Sequence, residues 1–115
     1  MNFRKISENY YEFKIDDEVL SISISKFLFH NISFELKRVT DTGKSVNLMK
    51  AFNIIKEIIL NYAKVRTEIN EAILVFYPND KIDRIRWINL YEFYIKRNST
   101  KVSRIEDFIL AFQIK

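Results

Sequence analysis

The fold is decided by residues 32–62, which read ISFELKRVTDTGKSVNLMKAFNIIKEIILNY. Residues 32–39 form a strand-like run, and over 32–37 apolar and polar side chains alternate, which is typical of a β-strand with one buried face. From Leu48 to Tyr62 apolar residues recur at spacings of four, three, four and three, which predicts a helix of about five turns. The only glycine in the chain, Gly43, lies in the turn between the two patterns. A strand, a turn and a helix in this order predict a protein with both a sheet and helices.

The first third of the chain also alternates in the way that strands do. Residues 11–15, 20–25 and 32–37 each place apolar side chains on one face and polar side chains on the other. The reversals are predicted at Asp16-Asp17-Glu18, interpreted as a solvated hairpin tip, and at His30-Asn31. We therefore expect an antiparallel sheet of three strands before the first helix.

The rest of the chain adds a strand, a helix and a strand. Residues 71–77 form a nearly continuous apolar run, which predicts a strand buried on both faces. A second helix is predicted from about residue 80 to Arg97, and residues 108–114 alternate as a final strand. The predicted fold class is α+β, with three antiparallel strands followed by helix, strand, helix and strand. We expect one mixed sheet with two helices packed on it.

Length and composition predict a single domain over residues 1–115, with a net charge of +4. The chain has no cysteine, so disulfide frameworks, thiolate zinc sites and cysteine nucleophiles are excluded. The longest apolar run, residues 72–77, is far shorter than the ~20 residues that span a bilayer. The first residues do not resemble a signal peptide. We therefore expect a cytoplasmic protein with no membrane partner.

The turn at residues 40–45, TDTGKS, predicts an anion-binding site. Backbone amides at such a turn and at the start of a helix bind phosphate groups well. Gly43, Lys44 and Ser45 are the candidate binding residues, and Asp41, Thr42 or Ser45 is expected to cap the helix. The alternative is a simple strand-to-helix turn with a solvated lysine. The sequence TGKS is also similar to the end of a Walker A loop, but the upstream glycine of that motif is absent.

Between Lys81 and Arg104 basic residues outnumber acidic ones by seven to two. Such a stripe is typical of a surface that meets phosphates or an acidic protein, although it also occurs on an ordinary solvated helix. Aromatic residues lie at helical spacing in the same segment, where they either pack in the core or anchor an interface. The candidate partner-binding residues are Arg84, Arg86, Trp87, Tyr94 and Arg97. No metal site is predicted, since His30 is the only histidine.

The element order resembles the core of the GNAT family of N-acetyltransferases. Residues 89–94, NLYEFY, follow a buried strand and are similar to the leucine-tyrosine-glutamate segment of that family's last core helix. The family holds the pyrophosphate of acyl-CoA on a turn with the pattern Gln/Arg-x-x-Gly-x-Gly/Ala. Gly43 matches the first glycine of this pattern, whereas Thr40 and Ser45 differ from its first and last positions. The resemblance covers about residues 19–115.

The resemblance implies roles for particular residues. Amides near Gly43, Lys44 and Ser45 would hold the pyrophosphate of acetyl-CoA, and Tyr91 would give a proton to the departing thiolate as the catalytic acid. The alternative for Tyr91 is a core ring with a wet hydroxyl. The family's N-terminal helices, which cover the acceptor substrate, have no counterpart before residue 40. Small proteins of bacterial viruses show a similar pattern, which implies a protein that keeps the fold while its activity is unknown or lost, and that would lie in the host cytoplasm.

Two functions are therefore expected. The first is a non-catalytic module of phage or mobile-element type, which uses the second helix to bind a host protein or an acidic surface. A composition rich in isoleucine, lysine and asparagine fits an AT-rich genome. The alternative is a minimal N-acetyltransferase that moves an acetyl group from acetyl-CoA to an amine. Nucleic acid and a second copy of the chain, paired by strand edges or helices, are further candidate partners.

Overall fold

The computed structural model describes residues 3–27, 31–40, 46–64, 66, 71–76, 81–98, 102–106 and 109–113. Over these residues the protein is α+β, as predicted, and has a seven-stranded mixed sheet and two helices. In chain order the elements are β1 (Phe3–Ser7), β2 (Tyr10–Ile15), β3 (Glu18–Phe27), β4 (Asn31–Arg38), α1 (Leu48–Lys64), β5 (Glu71–Phe76), α2 (Lys81–Asn98), β6 (Val102–Glu106) and β7 (Ile109–Gln113).

The strands lie in the order β1-β2-β3-β4-β5-β7-β6. The predicted antiparallel sheet of β2, β3 and β4 is confirmed. Strands β4 and β5 are parallel and pair continuously from Asn31 and Glu71 to Leu36 and Phe76. Helix α1 connects them, as expected because parallel neighbours require a crossover.

The prediction missed β1 and β6, the two edge strands. Each has only five residues, and each carries a register shift against its neighbour, between Lys5 and Ser7 in β1 and between Arg104 and Glu106 in β6. A bulge interrupts the alternation of side chains from which a strand is recognised. Short, charged and irregular edges also resist pairing with another chain.

The core lies on one face of the sheet, under both helices. The register aligns the inward residues of neighbouring strands, for example Ile22 with Leu36 and Phe34 with Leu74. Burying each such side chain contributes about 1.5–3 kcal/mol. The predicted inward residues are buried, namely Tyr11, Phe13, Ile15, Leu20, Ile22, Ile24, Ile32, Phe34 and Leu36.

Helix α1 packs on this face with the residues that its period predicted. Phe52, Ile55, Ile59 and Tyr62 are all buried, and the first residue, Leu48, is half-buried against the core. Helix α2 lies beside α1, since the ring of Phe52 is 5.0 Å from that of Tyr91. No helix in the described part of the chain is long and apolar enough to span a membrane.

The other face of the sheet, which we call the open face, has no described helix packed on it. Its central rows run Ser23, Glu35, Val75, Ile109 and Ser25, Ser33, Ile73, Ala111 across β3, β4, β5 and β7. The prediction that β5 is buried on both faces is therefore correct for only one. Ala72 and Leu74 are buried under the helices, but Ile73 and Val75 are only half-buried.

Candidate functional site

The predicted anion-binding residues, Gly43, Lys44 and Ser45, lie outside the described residues. The structure describes both ends of their turn. Thr40 ends the segment that leaves β4, and Val46 begins the segment that enters α1. The contacts at these two ends show how the turn is attached to the sheet and to the helix.

Thr40 is fixed to the start of β3 by a buried cluster. Its hydroxyl donates to Glu18 Oε2 at 2.5 Å and accepts from the backbone N–H of Val19 at 2.9 Å. The same carboxylate oxygen lies 3.1 Å from Arg38 Nη2. Burying a carboxylate is costly unless a cation and hydrogen bonds compensate for lost water, and both are present here. Thr40, which departs from the GNAT pattern, therefore attaches the turn to the sheet.

The cluster also corrects the prediction for the Asp16-Asp17-Glu18 reversal. Asp16 is exposed and has a φ of 55°, a left-handed conformation that aspartate tolerates in turns. Glu18 is buried and not solvated, because only 2% of its surface is exposed. It begins β3 on the inward face, two positions before Leu20, and Arg38 lies across the strand pair to compensate its charge.

Helix α1 begins at Leu48, where its apolar period begins, and its cap is Asn47. The side-chain oxygen of Asn47 accepts from the N–H of Lys50 at 3.1 Å, which is the bond of an N-cap. The prediction of Asp41, Thr42 or Ser45 as the cap was wrong. Val46 is buried, so the chain first contacts the core and then starts the helix. The amides of Gly43, Lys44 and Ser45 therefore precede the first turn of α1.

Tyr91, the predicted catalytic acid, is brought to this end of α1. Its hydroxyl donates to the carbonyl of Leu48, the first residue of the helix, over a long distance of 3.4 Å. Its ring packs against Phe52 and Trp87, with centroid distances of 5.0 and 5.6 Å. The residue is 0% exposed, and burial raises the pKa of its hydroxyl well above the usual value. A buried phenol with a raised pKa is a poor proton donor at neutral pH.

The predicted partner-binding aromatics also lie against the core. Trp87 is 5% exposed, and Tyr94 is half-buried with its ring 4.9 Å from that of Phe52. Arg86 and Arg97 are exposed on α2. The side chain of Arg84 lies outside the described part of the structure. The cations and the aromatic rings of the predicted set are therefore not on one surface.

A different apolar pair lies on the exposed side of α2. Ile85 and Phe93 are 53% and 56% exposed. They are eight residues apart, slightly more than two turns, so they share a face with Asn89 between them. The guanidinium of Arg97 lies 5.5 Å from the centre of the Phe93 ring, within the range of a cation–π contact. We call Ile85, Asn89, Phe93 and Arg97 the outer stripe.

Sequence reasoning missed the outer stripe because α2 has apolar residues on both sides. The stripe shows a spacing of four from Ile85 to Arg97, and the buried residues show the same spacing from Trp87 through Tyr91 to Ile95. The two series are offset by two positions, or about 200° around the helix, so they must face opposite ways. The offset shows that the helix has two apolar faces, and the structure shows which of them is buried.

Arg104 of β6 connects one side of the outer stripe to the sheet through hydrogen bonds. Its guanidinium donates to Glu92 Oε2 at 2.9 Å and to Asn89 Oδ1 at 2.6 Å. Lys96 Nζ lies 3.2 Å from Glu92 Oε1. Burial by itself would raise the pKa of the Glu92 carboxyl. Hydrogen bonds from Lys96 and Arg104 have a larger, opposite effect, so the net pKa is lower than usual. These contacts hold α2 in a fixed rotation against the sheet.

The structure also has a shallow cleft between the end of β2 and the first turns of α1. It has a volume of about 350 Å³, and its charged lining includes Lys14, Asp16 and Lys50. Lys50 and Asp16 are 3.9 Å apart and both are mostly exposed, so water screens the pair. Among the described residues no group of three or more acidic, histidine or cysteine side chains is placed to hold a metal ion.

No family model matches the chain, and no curated protein matches it in sequence. The similarity to GNAT proteins therefore stays a prediction from element order and two short motifs.

Proposed function

We propose that the protein is a non-catalytic binding module of phage or mobile-element type, which binds an acidic surface of another protein through the outer stripe of α2. The observation that carries the proposal is the exposure of Ile85 and Phe93 on one face of that helix, beside exposed cations. Single exposed apolar residues are common on protein surfaces. Two large ones on one stripe, with an arginine near the ring, have the composition of an interface.

The energetics support this use of the stripe. Moving a phenylalanine side chain out of water contributes about 1.5–3 kcal/mol. Binding energy concentrates on a few aromatic and arginine residues, and the rest of the contact mainly excludes water. Arg86, Lys96 and Arg97 are exposed on α2 near Phe93 and Ile85, and Lys96 is paired with Glu92. Charge of one sign steers a partner of opposite sign and sets its orientation. The expected partner is a protein with an acidic surface around an apolar patch.

A capture experiment with matched variants tests the proposal. The immobilised protein is incubated with nuclease-treated bacterial lysate, and bound proteins are quantified by mass spectrometry. Phe93→Glu places a charge in the stripe, and Leu60→Glu makes the same change at a residue of α1 that is 51% exposed. We expect the wild type and Leu60→Glu to retain the same acidic protein, and Phe93→Glu to lose it. A protein that all three forms retain equally would contradict the proposal, and one that is captured from untreated lysate but not from nuclease-treated lysate would indicate nucleic acid.

A minimal N-acetyltransferase is the second candidate, and one contact favours it. The hydroxyl of Tyr91 meets the first residue of α1, close in sequence to the turn that the resemblance assigns to pyrophosphate. Acetyl-CoA at 100 times its dissociation constant would stabilise the fold by ~2.7 kcal/mol. A thermal shift that Gly43→Val abolishes and Tyr91→Phe keeps would support binding at the turn. The absence of a shift at millimolar acetyl-CoA would exclude this function.

A further inference from the structure

The open face of the sheet is more apolar than a solvent-facing surface requires. Ile73 and Val75 of β5 lie beside Ala111 and Ile109 of β7, so four apolar side chains form one patch across two paired strands. All four are only half-buried. A strand with apolar residues on both faces is typical of a sheet covered on both sides. Both described helices cover the opposite face.

We propose that the open face docks the outer stripe of α2 from a second copy of the chain. This inference rests on the proposed role of the stripe and names its partner surface. Helices commonly cover sheets by placing an apolar stripe on an apolar face. The chain has both halves of such a contact, one on α2 and one on β5 and β7.

The charges around the two surfaces are complementary. Glu35 lies beside Val75 in the register, and Glu71 is two positions before Ile73, so carboxylates flank two sides of the apolar patch. Lys37 lies two positions after Glu35 on the same face of β4, so one cation also lies next to that end of the patch. The outer stripe brings Arg97, with Arg86 and Lys96 nearby. Opposite charges around an apolar centre favour one orientation of the docked helix.

The geometry makes the contact head-to-tail. The outer stripe is on the side of α2 opposite the buried residues Trp87, Tyr91 and Ile95, and only its flank, at Asn89, contacts the edge strand β6. The open face is on the other side of the sheet from both helices. When the stripe of one copy docks on the open face of another, the second copy's own stripe points away from the first. Such a heterologous contact adds further copies in one direction instead of closing as a two-fold dimer.

Two variants with one intact surface each test the inference. Phe93→Glu disables the stripe, and Glu71→Lys with Ala111→Lys disables the open face. Glu35→Lys with Glu71→Lys replaces the second variant if it does not fold, and circular dichroism verifies folding. Molar mass is measured by light scattering from micromolar to near-millimolar concentration at low salt, with Leu60→Glu as the control. A mixture of the two variants keeps one stripe and one open face, and therefore allows only a pair.

We expect the average mass of the wild type and of Leu60→Glu to rise with concentration, and to fall when salt is added. Each disabled variant alone is expected to associate at least about 30-fold more weakly, as for loss of an interface hot spot. Their equimolar mixture is expected to form a species of two copies and nothing larger.

A wild type that remains one copy at every concentration would overturn the inference. So would a mixture that stays monomeric, or an open-face variant that associates as strongly as the wild type. The proposed function is tested separately by capture. If Phe93-dependent capture of another protein occurs without self-association, the proposed function stands and this inference fails. If capture and self-association are both absent, both fail.

Discussion

Tyr91 and Phe93 are two residues apart on α2, yet they lie in opposite environments. Tyr91 is enclosed between Phe52 and Trp87, whereas more than half of Phe93 faces solvent. The inner face of the helix is explained by the fold, because its residues complete the core under β5 and β7. The outer stripe contributes little to that core and still exposes apolar surface. The comparison indicates that the inner residues serve stability and that the outer ones are available for a function.

The largest expected effect is the difference in stability between Tyr91→Ala and Phe93→Ala. Removing the buried ring leaves a cavity and should lower the free energy of unfolding by about 3–5 kcal/mol. Removing the exposed ring should lower it by less than about 1 kcal/mol. Urea denaturation at neutral pH measures both values. If Tyr91→Ala does not fold, Tyr91→Leu gives a smaller loss that can be measured. Equal losses at the two positions would show that Phe93 belongs to the core.

The same comparison explains which parts of the fold could be predicted from sequence. The alternation in β2, β3 and β4 and the period of α1 identified their inward residues correctly, because each of these elements has one apolar face. Helix α2 has apolar residues on both sides, so its period does not separate Trp87 from Phe93. Edge strands β1 and β6 were missed because bulges break their alternation.

Local patterns also could not settle contacts that depend on distant residues. The cap of α1 is Asn47 because burial of Val46 places the helix start after it, and several earlier residues were equally suitable caps. Glu18 is buried because Arg38 and Thr40, about twenty positions later, reach its carboxylate. The roles of Gly43, Lys44 and Ser45 stay predictions.

The variant Tyr91→Phe removes the hydroxyl of Tyr91 and keeps the ring, so it measures the contribution of the hydroxyl to stability. The bond to Leu48 is long, so its loss should lower the free energy of unfolding by about 0.5–1 kcal/mol at neutral pH. Burial raises the pKa of the folded-state hydroxyl above the usual value of 10.0. The stabilisation from the protonated hydroxyl is therefore full below pH 10 and is lost as the pH rises, because the unfolded chain releases this proton first.

The pH dependence of stability above pH 10 tests whether the Tyr91 hydroxyl is buried. The free energy of unfolding of the wild type should fall above pH 10 by up to ~1.36 kcal/mol per pH unit more steeply than that of Tyr91→Phe. Urea denaturation in a series of alkaline buffers measures the two slopes, and Tyr94→Phe gives the matched control on the same helix. Identical slopes for the wild type and Tyr91→Phe would contradict an enclosed hydroxyl.

The smallest expected effect is at Glu92, between the two faces of α2. Its carboxylate binds Lys96 and Arg104, and Glu92→Gln should lower the free energy of unfolding by less than about 1 kcal/mol, because the contacts are partly exposed. The pKa of Glu92 is lowered in the folded state, so this stabilisation is present above the usual value of 4.5 and is lost as the pH falls through the folded value. The difference between wild type and Glu92→Gln should therefore shrink in acid.

A double-mutant cycle with Arg104→Gln assigns the effect to the contact between α2 and β6. The sum of the losses in the two single variants should exceed the loss in the double variant by a few tenths of a kcal/mol. This difference is the coupling energy expected of a partly exposed pair. Additive losses would mean that Arg104 does not fix the rotation of α2 through Glu92. In that case the separation of Tyr91 from Phe93 depends on core packing alone, because Trp87, Tyr91 and Ile95 already determine which side of the helix is buried.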